Sequence, residues 1–281
     1  MIHKVQKILL PGDKWVYYQL YIGIQKANEF LCDHFYPTIE ILKQEEIIEK
    51  WFFIRYNDPE FHLRVRLELS DSLKVNEVVS AMNKCFSQPF SQEVIWDVGI
   101  STYKREVDRY GGKAMQLAEE VFFIDSEINV SILKNPNFRT KDFEWKSGVY
   151  LMFFYLNVFY PGLREKIQFM EEIRDAFVDE FELKKDLKIE IDRKYRELSN
   201  YVKQVIDNFN PVDSTYLSSL TKKLMDYNSL DFDYTTKVQI QSSLIHMSLN
   251  RLFSNRNREQ EFICYDFLLR ALKSKQAILR K

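Results

Sequence analysis

Hydrophobic and polar positions along the chain change their period near its middle. In the first half, short runs of alternating character are interleaved with helical stretches. Trp15–Ile24 (WVYYQLYIGI) is aromatic and β-branched, which predicts a first strand. Gln25–Gln44 repeats Ala27, Phe30, Leu31 and His34 at helical spacing, with Pro37 placed to kink or split the helix. Trp51–Tyr56 and Phe61–Leu67 are two extended runs around the turn residues Asn57, Asp58 and Pro59, a hairpin signature. Ser72–Phe86 reads as an amphipathic helix with Asp71 or Ser70 as N-cap, and Val94–Thr102 as a further strand. Lys113–Lys134 follows as a long helix. Inside it Asp125-Ser126, poor mid-helix residues, mark a cap or a buried contact. From Lys141 onward the period is helical throughout. Phe143–Phe159 stops at Pro161-Gly162, Leu163–Phe181 and Lys185–Phe209 lead to a break at Asn210-Pro211, and Thr215–Asp226, Tyr234–Asn255 and Asn257–Lys275 complete the chain. The pattern predicts one α+β domain over residues 1–281. Its N-terminal half holds a mostly antiparallel sheet with helices. Its helical C-terminal half folds back so that the helix bearing His246 reaches the sheet.

The hairpin carries the most chemistry. In Phe61–Leu67 the alternation is strict: His62, Arg64 and Arg66 share one face, and Phe61, Leu63, Val65 and Leu67 the other. Successive same-face Cα atoms lie about 7 Å apart. Cations so close repel unless an anion joins them, and guanidinium forks match carboxylates bidentately. The row therefore reads as a carboxylate-binding platform, with Arg55 on the partner strand able to join it. A solvated face neutralised by Glu60 and Glu68 is the alternative. Arg105 and Arg109, four apart in Tyr103–Gly112 (YKREVDRYGG), share a face if that stretch is a helical turn, and Gly111-Gly112 then breaks it. His246 and Asn250 are also four apart on one helix face, with Arg251 next to them. His34 stands alone and reads as a packing residue.

Composition narrows the class. Hydrophobic residues make up 46% and charged residues 29%, as in globular proteins, and seven Gly and seven Pro imply long elements and short loops. A net charge of −1 leaves no global basic field for nucleic acid or membrane. The three cysteines, Cys32, Cys85 and Cys264, are far apart without CxxC spacing, which fits a reducing cytoplasm and neither a disulfide framework nor a zinc site. No apolar run reaches the length of a membrane span, and the N-terminus lacks a signal peptide.

Three blocks together, WFFIRYNDPEFHLRVRL at Trp51–Leu67, YKREVDRYGG at Tyr103–Gly112 and HMSLNRL at His246–Leu252, resemble the thiopeptide-type bacteriocin biosynthesis domain, the C-terminal domain of class I lantibiotic dehydratases. Trp15–Gly23 and Phe123–Ser126 fit it too, and the blocks fall in the family's order over nearly the whole chain. The resemblance implies a lyase that eliminates glutamate from glutamylated Ser or Thr of a ribosomal precursor peptide (leader plus core), leaving dehydroalanine or dehydrobutyrine. It implies a separate glutamyl-tRNA-dependent glutamylation protein as partner, because nothing here resembles the large N-terminal domain that attaches glutamate. The chain thus looks like a stand-alone, split form. Relatives of this kind also include pyridine synthases that join two dehydroalanines by a formal [4+2] cycloaddition, and a non-catalytic peptide-binding partner is a third reading. β-Elimination needs a proton-transfer group, a cationic pocket for the departing glutamate and no cofactor. His246, Arg66 and Arg105 are the expected catalytic residues. Arg55, His62, Arg64, Arg109, Asn250 and Arg251 are expected to bind substrate, and Tyr103 and Tyr110 stand behind His246 as acid–base candidates.

Overall fold

The computed structural model of the protein describes residues 5–138, 140, 142–181, 185–209 and 214–280. It is α+β, as the pattern predicts, and resolves into two compact units. Met1–Asn135 with Asn250–Asn255 form one, and Pro136–Leu249 with Arg256–Lys281 the other.

The first unit runs β1 (Ile8–Leu9), β2 (Trp15–Ile22), α1 (Ile24–Phe30), α2 (Tyr36–Gln44), β3 (Ile48–Tyr56), β4 (His62–Leu69), α3 (Val75–Ser91), β5 (Ile95–Ile100), β6 (Tyr103–Lys104) and α4 (Met115–Leu133). A π-helical turn, Leu31–Phe35, joins α1 to α2 just before Pro37. Proline has no N–H to continue an α-helical ladder, and the widened turn accommodates that loss. Asp71 caps the Ser72–Lys74 turn that opens α3, accepting from the Leu73 N–H. Strands β3, β4, β2 and β5 form an antiparallel sheet in that order, and β1 pairs with β6 beside it.

Register fixes the two faces of the sheet. Val16, Tyr18 and Leu20 of β2, Trp51 and Phe53 of β3, and Leu63, Val65 and Leu67 of β4 point to one face and are all buried. Helices cover this face: Phe35, next to α2, meets Trp51, and Phe86 of α3 meets Tyr18, both edge-on. The opposite face carries Tyr17, Gln19 and Tyr21 of β2, Phe52, Ile54 and Tyr56 of β3, and His62, Arg64, Arg66 and Glu68 of β4.

Strand β3 is an edge strand, and its outward backbone groups still need partners. Side chains supply them. Ser126 Oγ of α4 accepts from the Phe53 N–H at 3.4 Å, and Arg251 Nε donates to the Phe53 carbonyl at 2.9 Å. Asn250 Oδ1 accepts from the Arg55 N–H at 2.9 Å while its Nδ2 donates to the Arg55 carbonyl at 3.0 Å. One amide thus imitates the residue of a missing neighbouring strand. Also on α4, Glu127 accepts from Lys43, Tyr36 and Trp51. Burial pushes its carboxyl upward, but these three donors outweigh it and hold the pKa below its usual value.

The second unit comprises α5 (Phe143–Phe159), α6 (Leu163–Phe181), α7 (Lys185–Asp207), α8 (Thr215–Asn228), α9 (Tyr234–Leu252) and α10 (Asn257–Leu279), the last three residues of α9 counting with the first unit. Helix α10 packs against α5, α6 and α7. Phe262 through Leu269 are buried on every side, as a central helix requires. Ser214 caps α8, accepting from the Leu217 N–H. The predicted break at Asn210-Pro211 lies outside the described residues. No helix among the described residues is long and apolar enough to cross a membrane.

Candidate functional site

The polar row predicted on β4 exists, and its members differ in their surroundings. Arg66 is 8% exposed. Its guanidinium carbon lies 4.4 Å from the ring centre of Tyr17, 4.7 Å from Tyr103 and 5.2 Å from Phe52. Tyr17 and Phe52 are its direct cross-strand neighbours, so alternation and register build two walls of this aromatic cage. Arg66 Nε is buried and makes no hydrogen bond among the described residues. Burial lowers its pKa, yet a guanidinium stays protonated in proteins. Aromatic faces attract the cation without neutralising it.

The carboxylates expected to neutralise the row do not do so. Glu68 binds Lys50 at 2.7 Å and Lys14 at 3.2 Å, and the exposed Glu60 contributes only its backbone carbonyl, to His62. Among the described residues, none forms an ion pair with Arg64 or Arg66. The Arg64 guanidinium carbon lies over Tyr56, 3.4 Å from its ring centre, and Nε donates to His62 Nε2 at 3.0 Å. That bond settles the histidine's tautomer. Nε2 accepts, so Nδ1 carries the proton and donates to the Glu60 carbonyl at 2.8 Å. Burial, the largest cause, and the Arg64 charge push the His62 pKa down, in keeping with a neutral ring. His62 thereby positions Arg64, whose exposure is intermediate.

Arg55 does not join this row. It pairs with Leu63, so the two-residue period sends it to the helix-covered face. There Nε donates to the Arg251 carbonyl at 3.0 Å and Nη2 to Asn28 Oδ1 at 2.6 Å. Arg251 is 1% exposed and binds Asp125 at 2.9 Å. Asn250 holds the Arg55 backbone. These three predicted substrate contacts, together with the Asp125-Ser126 pair flagged in the sequence, form the framework that closes the β3 edge.

Arg105 and Arg109 do not share a helix face. Tyr103–Lys104 is strand, and residues 107–110 are a hydrogen-bonded turn. Gly111 and Gly112 follow at φ 76° and 65°, left-handed backbone that glycine adopts without strain. Arg105 forms a fork on Glu119 of α4, 2.8 Å from Nε and 2.6 Å from Nη2. Arg109 pairs with Glu106 at 2.8 Å on the exposed side. Tyr103 donates its hydroxyl to Glu119 at 2.9 Å. Burial raises the Tyr110 pKa to about 12 and pushes that of Tyr103 well up too, so neither is a base near neutrality.

In the second unit His246 is part-buried, and its Nδ1 lies 2.7 Å from Glu261 Oε2. The Glu261 side chain is 3% exposed and also accepts from Arg258 at 3.0 Å. An ionised carboxylate only accepts, so Nδ1 carries the hydrogen and Nε2 is left for proton transfer. Glu261 therefore orients His246, while Asn250, one turn along the same helix, is engaged at the β3 edge. No local spacing advertises Glu261, because it lies fifteen residues on and in the next helix.

The family model described as lantibiotic biosynthesis dehydratase C-term matches residues 15–272. The nisin biosynthesis protein NisB of Lactococcus lactis subsp. lactis is 28% identical over 267 residues, covering 91% of this chain and 25% of NisB. The chain spans about a quarter of the length of the curated relatives it matches. Among solved structures, the tRNA dependent lantibiotic dehydratase MibB from Microbispora sp. 107891 superposes with a TM-score of 0.71 at 20% identity, covering 96% of this chain and 29% of MibB. The pyridine synthase TbtD from thiomuracin biosynthesis does so at 0.63 and 10% identity, covering 95% of this chain and 100% of TbtD. At these identities the two structures show a shared fold and nothing finer.

Proposed function

This chain belongs to the lantibiotic biosynthesis dehydratase C-terminal family, and on that premise we propose that it acts in peptide dehydration as a lyase, eliminating glutamate from glutamylated Ser or Thr of a ribosomal precursor peptide. The observation that carries this reading is Arg66, a buried, caged guanidinium that makes no ion pair among the described residues; Glu106, whose charge acts on it, is paired with Arg109. A buried cation is costly unless paired. A carboxylate ligand supplies the missing pair, and glutamate brings one free carboxylate and releases a second as its ester breaks. Arg64, the more exposed of the two arginines, adds a further fork, with its Nε fixed by His62.

In the reaction a base takes the α-proton of the esterified Ser or Thr, the Cα=Cβ bond forms, and the Cβ–O bond breaks. Glutamate leaves as a carboxylate onto the arginines. In the second unit, Glu261 fixes the His246 tautomer and leaves Nε2 as the candidate proton-transfer atom. Arg105, Arg55, Asn250 and Arg251 support the fold of the first unit, and Arg109 stands outside the cage. The glutamylated substrate calls for a glutamyl-tRNA-dependent activity that supplies it. The description of MibB as tRNA dependent supports an activity of that kind.

The test is incubation of the purified chain with a glutamylated precursor peptide and, separately, with the unmodified one. Mass spectrometry should show dehydrated residues and free glutamate from the first alone. His246→Ala should bind the peptide and lose elimination by about a hundredfold or more. Binding without elimination by the wild type favours a peptide-binding partner, and macrocycle formation from a dehydrated peptide favours a synthase.

A further inference from the structure

Glu119 sits in the first turns of α4, 2% exposed, facing away from solvent into the aromatic cluster around Arg66. Its carboxylate receives three hydrogen bonds, two from the Arg105 fork and one from the Tyr103 hydroxyl. The remaining Arg105 nitrogen reaches the Gln6 carbonyl at 3.4 Å, so the whole guanidinium is engaged by protein. Tyr103 in turn leans on Trp15 and Phe52, with ring centres 5.7 Å and 6.2 Å away. Its ring is the cage wall contributed from outside the four-stranded sheet.

We propose that Glu119, clamped by Arg105, is a positioning residue that holds Tyr103 against Arg66 and so tunes how strongly the cage captures a carboxylate. Two features of the geometry support this. First, anchoring the hydroxyl at Glu119 fixes the ring that faces Arg66. The guanidinium meets a π face, which leaves its charge available to a ligand. Second, Glu119 is neutralised by Arg105, so a carboxylate sits one residue from the cage without discharging Arg66. Arg105 then acts through Glu119 and touches no ligand. This inference deepens the elimination reading and rests on it for the identity of the ligand.

The experiment compares wild type, Tyr103→Phe, Glu119→Gln and the double variant in two assays. One is the Kd for free L-glutamate by NMR titration. The other is KM and kcat on the glutamylated peptide. Each single variant should raise Kd and KM by about tenfold, the scale of one lost charge-assisted contact. The double variant should be no worse than Glu119→Gln alone, because both changes release the same ring. A merely structural role would lower the active fraction, and with it kcat, at unchanged KM. Tyr103→Phe keeps the Glu119–Arg105 pair, so it decides the matter should Glu119→Gln fail to fold. Affinities within twofold of wild type, or losses that multiply in the double variant, overturn the proposal. If wild type binds glutamate and the variants weaken it without any elimination, the positioning role stands and the elimination reading falls. If elimination proceeds and the variants match wild type, the reverse holds. If wild type neither binds glutamate nor eliminates, both fail.

Discussion

Two buried arginines of the first unit show how much a residue's partners decide. Arg251 and Arg66 are both enclosed, yet Arg251 forms an ion pair with Asp125, and Arg66 is caged by rings and forms no ion pair among the described residues. Replacing an unpaired buried charge by an apolar residue of similar volume removes a desolvation cost. Arg66→Met should therefore melt at or above the wild-type temperature while kcat/KM on glutamylated peptide falls about tenfold to a hundredfold. Arg66→Lys should recover little activity, because an ammonium fills the cage but cannot form the fork. Calorimetry beside a peptide assay checks this. A variant that melts well below wild type would make Arg66 a structural cation. The alternation of Phe61–Leu67 exposed this residue in the sequence, since period two alone puts His62, Arg64 and Arg66 on one face. The absence of a partner was not readable, because Glu68 looks available until Lys14 and Lys50 are seen to hold it.

At the scale of elements, the sheet edge accounts for the residues whose role the sequence obscured. Asn250-Arg251 reads as chemistry because an amide and a cation follow a histidine on one helix. The structure places them where a fifth strand would lie, hydrogen-bonded to the backbone of Phe53 and Arg55. Backbone-directed side chains leave no periodic signal, and their target lies nearly two hundred residues away. Asp125-Ser126 was the one hint, as polar residues inside an apolar helix. Removing one partner of a buried pair leaves the other uncompensated, so Arg251→Met should destabilise the protein by about 3–5 kcal/mol. Urea unfolding measures it. A loss below about 1 kcal/mol would mean that water or another group takes over from Arg251. Phe143–Phe159 was legible to the residue, because its apolar run stops at Pro161-Gly162, whereas α3 and α10 run four or five residues past their expected ends. The π turn was legible only as a disturbance near Pro37. The spacing of Arg105 and Arg109 left the helical turn open, because four-residue spacing does not distinguish a helix from a strand followed by a turn.

At the scale of the whole molecule, neither compact unit is a continuous stretch of chain. The first unit is Met1–Asn135 completed by six residues, Asn250–Asn255, that arrive more than a hundred positions later. Those six hold Asn28 through Ser254, the Arg55 backbone through Asn250, and both Asp125 and the Phe53 carbonyl through Arg251. Without them the β3 edge loses its partners at Phe53 O and at both backbone groups of Arg55, and the buried Asp125 loses the Arg251 guanidinium while Asn129 Nδ2 stays at 3.0 Å. Each buried group left unsatisfied costs about 1–3 kcal/mol, and more where it is charged. A domain's whole stability is only about 5–15 kcal/mol. The sum consumes most of what a unit of this size holds. A fragment of residues 1–135 should therefore show no cooperative thermal transition and poor dispersion of its amide NMR signals, although it contains every strand of the sheet. The 281-residue chain in the same buffer should show both. A fragment that melts cooperatively with a native-like spectrum would show that the late segment is dispensable, and would undo the account of Asn250 and Arg251 as the residues that close the sheet.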